Sequence, residues 1–64
     1  MSINERSSEY KQMHKYAKAM LERAVARRRT TPYLYVARAL RHRFPSAHPY
    51  MRYHVVHKLV ENKQ

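Results

Sequence analysis

The absence of glycine constrains the fold of this 64-residue chain more than any other feature of its sequence. Glycine adopts positive φ at little cost, and it forms the loops that wrap phosphate groups. A chain without glycine therefore lacks the loops of P-loop and dinucleotide-binding folds, and tight β-hairpin turns are disfavoured. We predict an all-α fold whose turns do not depend on positive φ.

Apolar residues recur every three or four positions from about Ser8 to Arg29, which predicts a long amphipathic helix. Ser7 or Ser8 is suited to cap its start, and Glu9 falls in the first turn, where the helix dipole favours an acid. A helix of this length would extend roughly 33 Å. Its predicted inner face contains Tyr10, Met13, Ala17, Met20, Leu21 and Ala24, widened by Tyr16 and Val25.

Prolines predict the two breaks that follow. Thr31 and Pro32 suit the N-cap and first position of a second helix that runs to about Arg43 or Phe44. Pro45 and Pro49 end that helix and begin a third, from Pro49 to about Asn62. The predicted inner faces contain Tyr33, Val36, Ala37, Leu40 and Phe44 in the second helix and Met51, Val55, Val56, Leu59 and Val60 in the third.

The predicted organisation is a flexible N-terminus, residues 1–7, followed by a small three-helix domain, residues 8–64. Two helices joined by a short connection resemble a helix-turn-helix at the level of fold, with the third helix as the reading helix. The connection from Phe44 to Pro49 is longer than the usual three or four residues and has no glycine. No further family resemblance is evident.

The charge balance points to a polyanionic partner. Fourteen lysines and arginines stand against four acids, which gives a formal net charge of +10. Self-repulsion of this size is usually compensated by a nucleic acid and less often by an anionic membrane or an acidic protein surface. We expect a nucleic-acid-binding accessory or regulatory protein that acts through phosphate contacts. DNA is favoured over RNA because the common RNA-binding signatures are missing.

The predicted nucleic-acid-binding residues combine arginines with interleaved tyrosines and histidines. Arginine binds phosphate bidentately, and tyrosine donates hydrogen bonds or stacks on exposed bases. If about five phosphates are contacted, log K falls with log salt at a slope near −4.5. The predicted set is Arg27, Arg28, Arg29, Arg38, Arg41, Tyr50, Arg52, Tyr53, His54 and Lys58, with His57 on the same face of the third helix.

Enzymatic and metal-dependent functions are disfavoured by the residue pattern. The four acids are scattered, and Ser46 with a nearby histidine lacks an acid to orient the base. His54 and His57 share a helical face, and His48 or His14 would complete a zinc site, but no cysteine or HExxH motif accompanies them. We expect no catalytic residue, no metal and no cofactor.

The second functional hypothesis is a protein-binding effector or inhibitor that docks on an acidic surface of a larger complex, such as a polymerase or nuclease. An apolar spot around Leu34 and Tyr35 would then outweigh any arginine. Exposed Leu34, Ile3 or Val60 would serve a homodimer. We expect a cytoplasmic protein without membrane attachment, because the chain lacks cysteine, a signal peptide and any apolar run of about 20 residues.

Overall fold

The computed structural model describes residues 7–62 and contains three helices, α1 (Ser8–Ala26), α2 (Pro32–Arg43) and α3 (Pro49–Asn62). No strand occurs in residues 7–62, so the predicted all-α, three-helix fold is confirmed. The predicted flexible N-terminus lies outside the described residues except for Ser7, as does Ile3. No helix of the described chain is both long enough and apolar enough to cross a bilayer.

The start of α1 follows the sequence prediction, with Ser7 as the N-cap. The Ser7 hydroxyl accepts a hydrogen bond from the backbone N–H of Tyr10 at 3.1 Å, and Glu9 lies in the first turn. Both features favour the positive end of the helix dipole. The buried residues of α1 are Tyr10, Met13, Ala17 and Ala24, all of them on the predicted inner face.

The end of α1 differs from the prediction, because the helix stops at Ala26 and not at Arg29. The backbone N–H of Arg28 donates to the Val25 carbonyl at 3.0 Å, and that of Arg29 donates to the Ala24 carbonyl at 3.1 Å. This pair of bonds is a Schellman motif, which places a left-handed residue just after the C-cap. Arg28 has that conformation, with φ of 56°. The prediction that no turn uses positive φ is therefore wrong.

Prolines begin α2 and α3 as predicted, although the two helices are capped differently. Thr31 is the N-cap of α2, and its side chain makes no capping hydrogen bond. His48 precedes α3, and its Nδ1 atom accepts a hydrogen bond from the Tyr50 backbone N–H at 3.1 Å. A proline at the first helical position needs no partner for an N–H group. The His48 imidazole therefore caps the start of α3, as the Ser7 hydroxyl caps the start of α1.

The core lies where the three helices meet, and each helix contacts the other two. The largest fully buried side chains are Met13 of α1, Val36 and Leu40 of α2, and Val55 of α3. Ala47, in the α2–α3 loop, is also buried and was not predicted, because helical periodicity does not extend into a loop. The partly buried residues against this core are Tyr16, Met20, Leu21, Tyr33, Phe44, Met51 and Val56.

Two valines that the periodicity assigned to inner faces are exposed. Val25 is 58% exposed and Val60 is 43% exposed. Val25 is next to buried Ala24, about 100° around the helix, so the contact face of α1 is narrower than its apolar stripe. Val25 therefore adds apolar surface to the outside of the domain, as does Leu34, which the sequence did place outside.

Candidate nucleic-acid interface

Positive charge without acidic neighbours dominates the middle of the chain. No aspartate or glutamate occurs between Glu22 and Glu61. The cations in this interval are Arg23, Arg27, Arg28, Arg29, Arg38, Arg41, Arg43, Arg52 and Lys58. Since α2 and both connecting segments lie wholly within the interval, the surface that they form has no carboxylate of its own to neutralise it.

Three of the predicted arginines line a single groove beside the C-terminal end of α2. The groove has a volume of about 690 Å³ and is open to solvent. Arg38 and Arg41 are one helical turn apart, so their side chains project from the same face of α2. Arg52 reaches the groove from α3. We call this surface the basic groove and define it by Arg38, Arg41, His42, Pro45 and Arg52.

Arg52 is held in the basic groove by the α2–α3 loop. Its Nη1 atom donates hydrogen bonds to the carbonyl oxygens of Phe44, at 3.1 Å, and Ala47. Phe44 is the C-cap of α2, where carbonyl groups concentrate negative partial charge. These bonds do not involve Nε or Nη2, and a guanidinium group has five N–H donors in all. Arg52 therefore combines a structural role with a fixed position at the edge of the groove.

The arginine cluster at the end of α1 continues onto the exposed face of α2. Arg29 places its guanidinium carbon 4.2 Å from the centre of the Tyr35 ring, a cation–π contact. Arg38 and His42 follow Tyr35 by three and seven residues, so the three side chains share one face of α2. About 10 Å of helix separates Tyr35 from His42. We call the surface formed by Arg29, Tyr35, Arg38, Arg41 and His42 the α2 basic face.

The predicted aromatic residues of α3 line a separate hollow of about 380 Å³, formed by Tyr50, Tyr53, His54, His57, Lys58 and Glu61. Tyr50 and Tyr53 are 57% and 63% exposed. The Tyr53 and His57 rings meet edge to face at 5.4 Å, and Nδ1 of His57 lies 3.7 Å from the Glu61 carboxylate. Because this hollow contains an acid and excludes Arg52, the predicted reading residues of α3 do not form one surface.

His54 occupies a different environment from the exposed one that the sequence predicted. A hydrogen bond of 3.0 Å joins its Nδ1 atom to the hydroxyl of Tyr10, which is buried. The two rings also meet edge to face at 5.6 Å. His54 is half-buried and links α1 to α3. These contacts give His54 a structural role, and its half-buried side chain also lines the hollow on α3.

The histidines make several different local contacts. Within residues 7–62, no group of three histidine, aspartate or glutamate side chains is arranged to hold a metal ion. His48 instead caps α3, and His14 packs against the Tyr10 ring at a centroid distance of 6.4 Å. Each of these two histidines therefore has a local packing or capping role.

The structure thus distributes the ten predicted residues over three surfaces. Arg38, Arg41 and Arg52 meet in the basic groove. The α1–α2 turn carries Arg27, Arg28 and Arg29, and the hollow on α3 contains Tyr50, Tyr53, His54 and Lys58. His42 also lines the groove and is not among the ten predicted binding residues. Its signal was the spacing of four residues from Arg38.

Comparison of the chain with protein-family models, with curated proteins and with solved structures finds no match. The chemistry of its own surfaces is therefore the basis for assigning a function to this protein. Of these, the basic groove has the most consistent chemistry, because all its titratable members are cationic or can become so.

Proposed function

We propose that this protein binds nucleic acid, DNA in preference to RNA, by arginine–phosphate contacts along the α2 basic face and in the basic groove. The observation that carries the proposal is the convergence of Arg38, Arg41 and Arg52 on one open groove that has no acidic residue. The biological role that fits such binding is that of an accessory or regulatory protein.

Phosphate is the ligand whose chemistry matches this surface. Guanidinium groups bind phosphate oxygens bidentately, and such charge-assisted bonds are stronger than neutral ones. Binding to a polyanion also releases condensed counterions, which favours a ligand with many phosphates over a single phosphate. The α2 basic face extends about 10 Å, which is longer than one phosphate group and suits successive phosphates of a nucleic-acid backbone.

The distribution of the α3 residues supports contacts to the backbone more than readout of base edges. A reading helix presents several side chains together to the major groove. On α3, Arg52 faces the basic groove, whereas Tyr50 and Tyr53 line a separate hollow. The helix-turn-helix interpretation remains a prediction, and we propose binding with limited sequence specificity.

The proposal is tested by mobility-shift titrations of labelled duplex DNA, single-stranded DNA and structured RNA. The informative variant is the double substitution Arg38→Ala/Arg41→Ala. Its matched control is Lys11→Ala/Lys15→Ala, which removes the same charge from exposed positions of α1 that do not line the groove. We expect duplex DNA to bind most tightly. We also expect the double arginine substitution to weaken binding far more than the double lysine substitution.

Two results would count against the proposal. If none of the three ligands binds at 50 mM salt, a surface with this charge does not recognise nucleic acid. If both double variants weaken binding equally, the net charge of the chain is sufficient and the basic groove has no special role.

A further inference from the structure

A second groove, apolar in character, lies away from the arginines and has no counterpart in the function proposed above. It is open to solvent and has a volume of about 460 Å³. Leu21, Val25 and Ala26 of α1 form one side, Pro32 and Tyr33 at the start of α2 form another, and Leu59 of α3 contributes from the third helix. We call this surface the apolar groove.

The apolar groove leaves apolar side chains exposed to water, and burying them against a partner would be favourable. Val25 is 58% exposed although its neighbour Ala24 is fully buried. A small domain has little apolar surface to spare, and a concave apolar site is a common feature of binding surfaces. All three helices contribute to the groove, so its shape is fixed by the packing of the core and is present before any partner binds.

The α1 side of the groove continues into a stripe of exposed lysines. Lys18 and Glu22 line the groove itself. Lys11 and Lys15 lie seven and three residues before Lys18, so they continue the same stripe of α1. Both lysines are exposed. The stripe has three cations and one acid, which favours an occupant with acidic side chains beside its apolar ones.

A second copy of the chain is a poor occupant. An interface between two copies related by a twofold axis brings the same surface of each copy together. Here both chains carry a formal charge of +10, and the lysine stripe of each copy would lie at the edge of the shared interface. Charge complementarity therefore selects a different protein with an acidic surface.

We propose that the apolar groove docks an acidic amphipathic helix of a partner protein. Bulky apolar side chains on one face of that helix occupy the space between Leu21, Val25 and Tyr33. Its carboxylates lie along the Lys11–Lys15–Lys18 stripe. This helix-in-groove mode uses apolar anchors spaced three and four residues apart. The site shares no residue with the basic groove, so substitutions can disrupt the two sites separately.

The probe is a fluorescein-labelled, 16-residue amphipathic peptide with leucine and phenylalanine on one helical face and glutamate on the other. One control peptide replaces glutamate with lysine, and a second replaces the leucine and phenylalanine with serine. Fluorescence anisotropy measures the affinity, and amide chemical-shift changes locate the site. We expect saturable binding of the acidic amphipathic peptide only, with shifts centred on Leu21, Val25 and Tyr33.

The decisive variant is Val25→Arg, with Val60→Arg as the matched control at an exposed valine outside the groove. Docking predicts that Val25→Arg weakens binding of the acidic peptide about tenfold or more, because the substitution puts a charged group at an apolar anchor site. Attraction by net charge alone predicts that both variants strengthen binding. Circular dichroism of both variants verifies that the helices are retained.

Three outcomes would overturn the docking proposal. The first is no saturable binding of the acidic peptide, and the second is binding that Val25→Arg leaves unchanged or strengthens. The third is sedimentation equilibrium that shows a dimer lost in Val25→Arg, which would assign the groove to a second copy. The Arg38→Ala/Arg41→Ala variant should bind the peptide normally, so failure of nucleic-acid binding and failure of peptide docking are separate results.

Discussion

Arg28→Gly should be more stable than Arg28→Ala, whereas within a helix alanine gives the more stable protein. Arg28 has φ of 56° in the Schellman motif at the end of α1. A residue with a Cβ atom in this region is destabilised by roughly 1–2 kcal/mol through contact with its own carbonyl group. Both substitutions remove the same charge, so the difference between them isolates the backbone effect.

The expected difference follows from two opposing terms. Glycine relieves the roughly 1–2 kcal/mol of steric cost at Arg28. It also gains about 0.4–1 kcal/mol of conformational freedom in the unfolded chain, which opposes folding. Taking the midpoint of each term, Arg28→Gly should therefore be about 0.8 kcal/mol more stable than Arg28→Ala. Its Tm should be higher by roughly 3–6 °C for a domain of this size.

The control pair is Lys15→Gly and Lys15→Ala, at an exposed position in the middle of α1. There the glycine variant should be less stable than the alanine variant by about 1 kcal/mol. Thermal unfolding followed by circular dichroism at 222 nm measures all four variants. An Arg28→Ala variant as stable as Arg28→Gly, or more stable, would refute the left-handed conformation and with it the Schellman end of α1.

Substitutions at three further positions test a contact between two helices, a helix cap and a contact to a loop. Tyr10→Phe removes the hydroxyl that is hydrogen-bonded to His54, and it should lower the free energy of unfolding by about 1 kcal/mol in urea titrations. His48→Ala removes the cap of α3 and should also cost about 1 kcal/mol, whereas His48→Asn should retain most of the stability; equal losses would argue against capping. Arg52→Met removes both bonds to the α2–α3 loop and should cost about 1.5–3 kcal/mol, so an unchanged unfolding midpoint would contradict the structural role of Arg52.

The helices were predictable because the signals that define them are local. Pro32 and Pro49 mark two helix starts through their fixed φ and missing N–H, and both starts agree with the structure. The buried residues of α1 also follow the predicted spacing. The end of α1 was not predictable in the same way, because a Schellman motif at Arg28 lacks the glycine that usually indicates one.

The surfaces were less predictable because they depend on how the helices cross. Arg38 and Arg41 share a face by spacing alone, but the arrival of Arg52 beside them depends on the angle between α2 and α3. The same angle separates Arg52 from Tyr50 and Tyr53. The half-burial of His54 against Tyr10 is a contact over 44 residues of sequence, for which periodicity has no signal.

The apolar groove was missed for a related reason. Val25 satisfies the helical periodicity of α1, so the pattern assigned it to the core. Periodicity identifies an apolar stripe but does not say how much of that stripe the neighbouring helices cover. Only the packed structure shows that α2 and α3 leave Val25 exposed beside Pro32 and Leu59.

The salt dependence of duplex DNA binding, measured between 50 and 200 mM salt, tests the central claim most directly. If about five phosphates are contacted, the slope of log K against log salt should be near −4.5 for the unmodified protein. Loss of two contacts in Arg38→Ala/Arg41→Ala should change the slope to about −2.7, while Lys11→Ala/Lys15→Ala should leave it near −4.5. A slope that stays the same in the arginine variant, or that falls equally in the lysine variant, would contradict phosphate binding in the basic groove.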